Sequence, residues 1–63
     1  MIEVCYYYHR NDGKIIEHCV YFQKANIALK FIYKCIRHPK MTFISYDCED
    51  PYDYEWIGRR LSR

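Results

Sequence analysis

Ten residues near the end of the chain, "DCEDPYDYEW" (Asp47–Trp56), hold five carboxylates, two tyrosines and a tryptophan. Carboxylates at that density suit four kinds of work: holding a hard cation, acid–base catalysis, starting a helix, or contacting a basic partner. A calcium loop needs glycine at its sixth position and a closing glutamate at fixed spacing. Pro51 and the missing glycine break that pattern. Zinc ligands fare no better. Cys5 and His9 on one strand would stand roughly 13 Å apart at 3.3 Å per residue, too far for two ligands of one ion. His18 falls on the other face of the sheet derived below. His9, His18 and His38 are candidate acid–base groups, yet no nucleophile–base motif and no phosphate-cradling glycine loop accompanies them. The expectation is a chain with no catalytic residues, no metal, no cofactor and no small-molecule substrate.

Four cysteines (Cys5, Cys19, Cys35, Cys48) stand 14, 16 and 13 residues apart, without a C-x-x-C. No apolar stretch approaches the roughly 18 residues that cross a bilayer. The first residues, "MIEVCYYYHR", lack the basic-then-apolar order of a secretion signal. The expected location is therefore the cytoplasm of a host or infected cell, with no membrane partner and with reduced thiols as the default.

The elements that must position these residues follow from patterning. "EVCYYYH" and "IIEHCVYF" are rich in aromatic and β-branched residues, and "RNDGK" between them is a turn signal. A three-residue loop with Gly13 left-handed sets Arg10 opposite Lys14. Ile2, Val4, Tyr6 and Tyr8 then share one face with Phe22, Val20, His18 and Ile16. Glu3, Cys5, Tyr7, His9, Ile15, Glu17, Cys19 and Tyr21 take the other. This register separates apolar from polar better than a two-residue loop does, and a buried face is what fixes register. It also sets Cys5 opposite Cys19, within reach of a disulfide on oxidation.

"KANIALKFIYKCIRH" places Ala25, Ala28, Leu29, Phe31, Ile32, Cys35 and Ile36 within an arc of about 160° at helical period. Asn26, Lys30, Tyr33, Lys34 and Arg37 fill the opposite side. The helix lacks a good N-cap residue and stops at His38-Pro39. "KMTFISYDC" reads as a third strand, which a right-handed crossover returns beside the first. Asp50-Pro51 with Asp53 reads as a helix start, and Trp56, Ile57 and Leu61 as its apolar side, with Gly58 counting against it. Residues 1–63 thus form a single α+β domain of ββαβ plan. Its three-stranded antiparallel sheet has order 2-1-3, one helix packs on one face, and a short C-terminal helix is a candidate addition.

The net charge of +2 is too small to imply nucleic acid, but it is segregated. Residues 1–46 carry seven Lys/Arg against three Asp/Glu, residues 47–55 five acids and no base, and residues 56–63 three arginines. Tyr, Trp and Arg dominate interface hot spots. Asp47, Glu49, Tyr52, Asp53, Tyr54, Glu55, Arg59 and Arg60 are the candidate partner-binding residues, on a helix start that doubles as a contact surface. Lys30, Lys34 and Arg37, with Tyr33 among them, are the alternative, a nucleic-acid-binding stripe extended by the arginines through Arg63. The exposed second strand adds the expectation of a homodimer.

The order of the hairpin, "FQKANIALKFIYK" and "ISYDCEDPYDYEW" resembles small accessory proteins of bacteriophages and other mobile elements. Many of those proteins have a ββαβ plan, an "F-x-K-x-x-x-A-L-K-F" helix and an acidic aromatic end. The resemblance covers most of the chain. It implies a stoichiometric, non-catalytic inhibitor of host machinery, of the class that includes anti-CRISPR proteins. The partner would be a host protein or protein–nucleic acid complex. The resemblance assigns no functional residue.

Overall fold

β-branched and aromatic residues alternate with polar ones in β1 (Ile2–His9) and β2 (Ile15–Phe22), which pair antiparallel. The computed structural model describes residues 1–62. Gly13 has φ +88°, a conformation glycine adopts without a Cβ penalty. Its N–H donates to the Arg10 carbonyl at 3.1 Å, and the Arg10 N–H donates to the Lys14 carbonyl at 2.8 Å. The three-residue loop therefore sets the expected register, with Ile2 opposite Phe22, Val4 opposite Val20 and Tyr6 opposite His18.

α1 (Ala25–Arg37) begins at Lys24 with no side-chain cap. It ends at His38, whose ψ of 129° is the extended conformation required before Pro39. Ala28, Leu29, Ile32 and Cys35 are its buried residues. β3 (Met41–Cys48) returns antiparallel to β1, giving the order β2-β1-β3. α2 (Pro51–Leu61) is a full helix. The result is the α+β fold expected, with a second helix longer than the sequence demanded.

Ile2, Val4, Ala28, Leu29, Ile32 and Ile57 form one buried cluster. It draws from β1, α1 and α2, so both helices cover the same sheet face. Ile57 is fully buried, and truncating it to alanine would remove about 2–5 kcal/mol. No element among the described residues covers the opposite sheet face, which carries Glu3, Tyr7, Ile15, Glu17, Cys19 and Tyr21.

Two details depart from expectation. Ile36 stands inside the expected apolar arc, near the edge that Leu29 marks, yet is 56% exposed. Tyr33, placed on the polar side, is half-buried and packs on the core. Both follow from α2. The Tyr33 hydroxyl donates to the Arg60 carbonyl at 3.3 Å, so Tyr33 meets the last turn of α2. The next turn of α1, with Ile36, runs past the end of that helix.

The second departure is a β-bulge. Cys5 pairs with Ser45 and Tyr6 with Phe43, leaving Ile44 as the extra residue. The bulge resets the alternation of β3. Phe43 and Tyr46 both reach the helix-covered side, their rings stacked at 6.4 Å.

Candidate functional site

α2 is built from its first residue as the acids suggested. The Asp50 carboxylate accepts the Tyr52 N–H at 2.9 Å, Pro51 follows at the first position and Asp53 lies in the first turn. Each answers an unpaired N–H or the positive end of the helix dipole. Arg59 and Arg60 occupy the last turn, where cations oppose the negative end.

One side of α2 is structural. Ile57 enters the core, and Tyr54 leans on Tyr46 with ring centroids 4.8 Å apart. Gly58 sits where the Tyr46 hydroxyl arrives: a Cβ there would stand 2.8 Å from it. The glycine that argued against a helix thus sits at a close approach, where a Cβ would have to displace the Tyr46 hydroxyl. Tyr46 also donates a long hydrogen bond, 3.4 Å, to the Tyr54 carbonyl.

The other side is more exposed, although Trp56 and Arg60 are half-buried and Trp56, like Leu61, packs against the core as its place on the apolar side suggested. Tyr52, Glu55, Trp56 and Arg59 follow the three- and four-residue spacing of one helix face. Together with Arg60 they line a shallow groove. Tyr52 is 72% exposed. Arg59 pairs with Glu55. The Arg60 guanidinium lies 3.7 Å over the Trp56 ring and donates to the Trp56 carbonyl at 3.2 Å. The hydrogen bond holds the guanidinium over the indole, whose ring also packs against the core, so the groove floor is an aromatic face covered by a cation.

The eight expected contact residues therefore divide. Tyr52, Glu55, Arg59 and Arg60 meet on this groove. Asp47 and Glu49 lie elsewhere, in a second groove on the open side of the sheet with Glu3, Tyr21, Met1 and Cys48. Glu3 stands between Tyr21 on β2 and Asp47 on β3. Two like charges face each other there, a destabilising pair. The Tyr21 hydroxyl donates to Glu3 Oε2 at 2.9 Å. That bond, and then the Glu3 charge, hold the Tyr21 proton above its ordinary range. Asp53 is half-buried. Burial first, then the charges of Asp53 and Asp47, push the Cys48 thiol up.

Reading the sequence missed Glu3, Tyr21 and Trp56 as groove residues. The signal for the first two was present, since the hairpin register already set them side by side on the outer face.

The basic stripe of α1 is only partly what was expected. Lys30, Lys34 and Arg37 are exposed, and the Arg37 Nε donates to the Tyr33 carbonyl at 3.4 Å. Tyr33 is engaged with α2 through its hydroxyl and offers no free ring for base stacking. Arg63 lies outside the described residues. The three histidines occupy separate places. His9 Nε2 is 2.8 Å from Thr42 Oγ1, His18 stacks on Tyr6 at 5.5 Å, and His38 Nδ1 accepts the Lys40 N–H at 3.1 Å.

The expectation of reduced thiols is overturned at one pair. Cys5 and Cys19 form a disulfide across β1 and β2, with Cα atoms 4.1 Å apart. Arg10 and Lys14 are a hydrogen-bonded pair, and such pairs alternate along an antiparallel ladder. Counting inward, residues 5 and 19 fall on a non-hydrogen-bonded pair, the closer kind, so their sulfurs meet. Glu3 offers a carboxylate oxygen within 4.8 Å of both sulfurs, but sulfurs bonded to each other present no thiolate to a cation. Cys35 and Cys48 are free. No helix is long and apolar enough to cross a membrane among the described residues.

No protein-family model, curated protein or solved structure matches the chain.

Proposed function

We propose that this chain works by binding a protein, without catalysis, through the outer face of α2. The reading is that of a phage-type inhibitor acting on a host nucleic-acid-handling or defence protein, such as a CRISPR effector, in the host cytoplasm. The supporting observation is the groove of Tyr52, Glu55, Trp56, Arg59 and Arg60 on a helix capped at its start and anchored by Ile57. Aromatic and arginine side chains held in place and left partly in water are the makings of a hot spot, because little conformational freedom is lost when they are covered. Glu55 is the acid on that face; Asp47 and Glu49 line the separate groove on the sheet, so a basic target surface, as one made to receive nucleic-acid phosphates would be, would have to extend past α2 to reach them.

The alternative is nucleic-acid binding by Lys30, Lys34 and Arg37. Two variant sets separate the readings. The chain is immobilised against host lysate, retained proteins are identified by mass spectrometry, and the purified target is then assayed with each variant. Tyr52→Ala should weaken inhibition by about 1–3 kcal/mol in binding free energy, while Lys30→Ala with Lys34→Ala leaves it intact. In a parallel gel shift with labelled DNA and RNA, nucleic-acid binding that Lys30→Ala and Lys34→Ala abolish and Asp47→Lys tightens would sink the inhibitor reading.

A further inference from the structure

The outer edge of β2 is unpaired along its whole length among the described residues. We infer that it is a self-association surface, on which a second copy of this chain adds antiparallel with Tyr21 opposite the partner's Ile15.

The inference starts from which backbone groups are free. Arg10 and Lys14 are a hydrogen-bonded pair, so residues 14, 16, 18, 20 and 22 turn their N–H and C=O groups toward β1. Residues 15, 17, 19 and 21 turn theirs outward. β2 spans eight residues without proline or bulge. β3, the other edge, is interrupted at Ile44, which is a known way of blunting an edge. β2 has no such protection.

A two-fold pairing must match outward residues with outward residues, which leaves few registers. Centred on Glu17, the strands would set Glu17 opposite its own copy, a like-charge pair. Centred on Cys19, they would set Ile15 opposite Gln23 and leave the exposed apolar residues uncovered. Centred on His18, they set Ile15 opposite Tyr21 and Glu17 opposite Cys19, and all four outward residues pair. Ile15 and Tyr21 are 58% and 59% exposed and belong to the uncovered sheet face. Only this register makes them cover each other, twice over because of the symmetry. The product is a six-stranded sheet, β3-β1-β2-β2-β1-β3, with all four helices on one side. The contact is one strand wide, at the small end of specific interfaces, so its dissociation constant falls in the micromolar range or weaker.

Sedimentation equilibrium on the full chain, from micromolar to millimolar, tests this. The mass should rise from the monomer's 7.8 kDa to twice that value. Glu17→Pro removes an outward N–H that the intramolecular ladder does not use. It should hold the chain monomeric, with the circular dichroism of the parent. Ile15→Glu and Tyr21→Lys should each weaken the dimer at least tenfold. Combined, they should restore it, because each Ile15→Glu carboxylate then faces a Tyr21→Lys amine across the axis. Within one chain these substitutions sit beside His9 and Glu3 respectively, where neither meets a like charge. A monomer at every concentration, a dimer that survives Glu17→Pro, or a double variant no tighter than the singles would each overturn the proposal.

Discussion

Gly58→Ala should destabilise this protein, although alanine is the better helix former. Within a helix the exchange gains about 0.8–1.0 kcal/mol from propensity alone. Against it stands the 2.8 Å separation between the added Cβ and the Tyr46 hydroxyl. Tyr46 has little freedom to retreat, because its ring lies between Phe43 and Tyr54. Overpacking of this kind costs about 1–3 kcal/mol, so the net loss is about 0–2 kcal/mol. Tyr46→Phe deletes the obstructing atom and sacrifices only a long hydrogen bond to the Tyr54 carbonyl, worth about 0.5 kcal/mol. In that background Gly58→Ala should stabilise by about 1 kcal/mol. Urea unfolding of the four proteins, followed at 222 nm, gives the coupling energy directly. It should be about 1–3 kcal/mol, well above the roughly 0.3 kcal/mol expected of independent sites. Additive effects, or a Gly58→Ala single variant more stable than the parent by its full helix propensity, would refute the close-approach account.

Reducing the Cys5–Cys19 disulfide, which closes a span of 14 residues, should cost about 3 kcal/mol. In a domain this small that lowers Tm by on the order of 10–20 °C, so melts with and without a phosphine reductant that coincide would count against it. Asp50→Ala removes the acceptor of the Tyr52 N–H and should cost about 1 kcal/mol, with Asp50→Asn nearly neutral, by urea midpoint. Stability should hold to about pH 8.5 and fall above it. Burial raises the Cys35, Cys48 and Tyr46 groups in the fold. Their contribution is complete below the unfolded pKa values and is lost as pH rises and the unfolded chain releases protons first. A flat profile of unfolding free energy from pH 8 to 11 would contradict those shifts.

The hairpin was legible because two independent signals agree on it. Asn11-Asp12-Gly13 fixes the loop, and the alternation of Ile2, Val4, Tyr6 and Tyr8 fixes the face. The start of α2 was legible for the same reason, since Asp50, Pro51 and Asp53 each suit a different need of a helix N-terminus. The bulge was not. Phe43, Ile44 and Ser45 all fit a strand, and only pairing with β1 reveals which one is extra. Tyr33 and Ile36 exchanged environments because a helical wheel carries no information about where a neighbouring helix ends. The contact set divided for a related reason. Asp47 and Glu49 are close in sequence to Tyr52 but precede the turn into α2, so they stay with the sheet. As for the cysteines, the register supplied their proximity, and nothing in residue order states an oxidation state.

The position of β1 also governs the order in which the sheet can form. β1 is made first yet lies in the middle, so it needs partners from both later segments. β2 closes on it across three residues, a step that takes about 1–10 μs. β3 closes on it only after α1 has been gathered between them, since Ile2 pairs with Cys48, and that long closure carries the larger entropy cost. The hairpin therefore belongs to what is already built at the folding barrier, and the β1–β3 ladder to what is built later. Loosening the hairpin at Gly13 should slow folding and leave unfolding unchanged. Loosening β3 at Phe43 should speed unfolding. Stopped-flow rates that reversed this assignment would mean that the two ends of the chain meet before its first turn has formed.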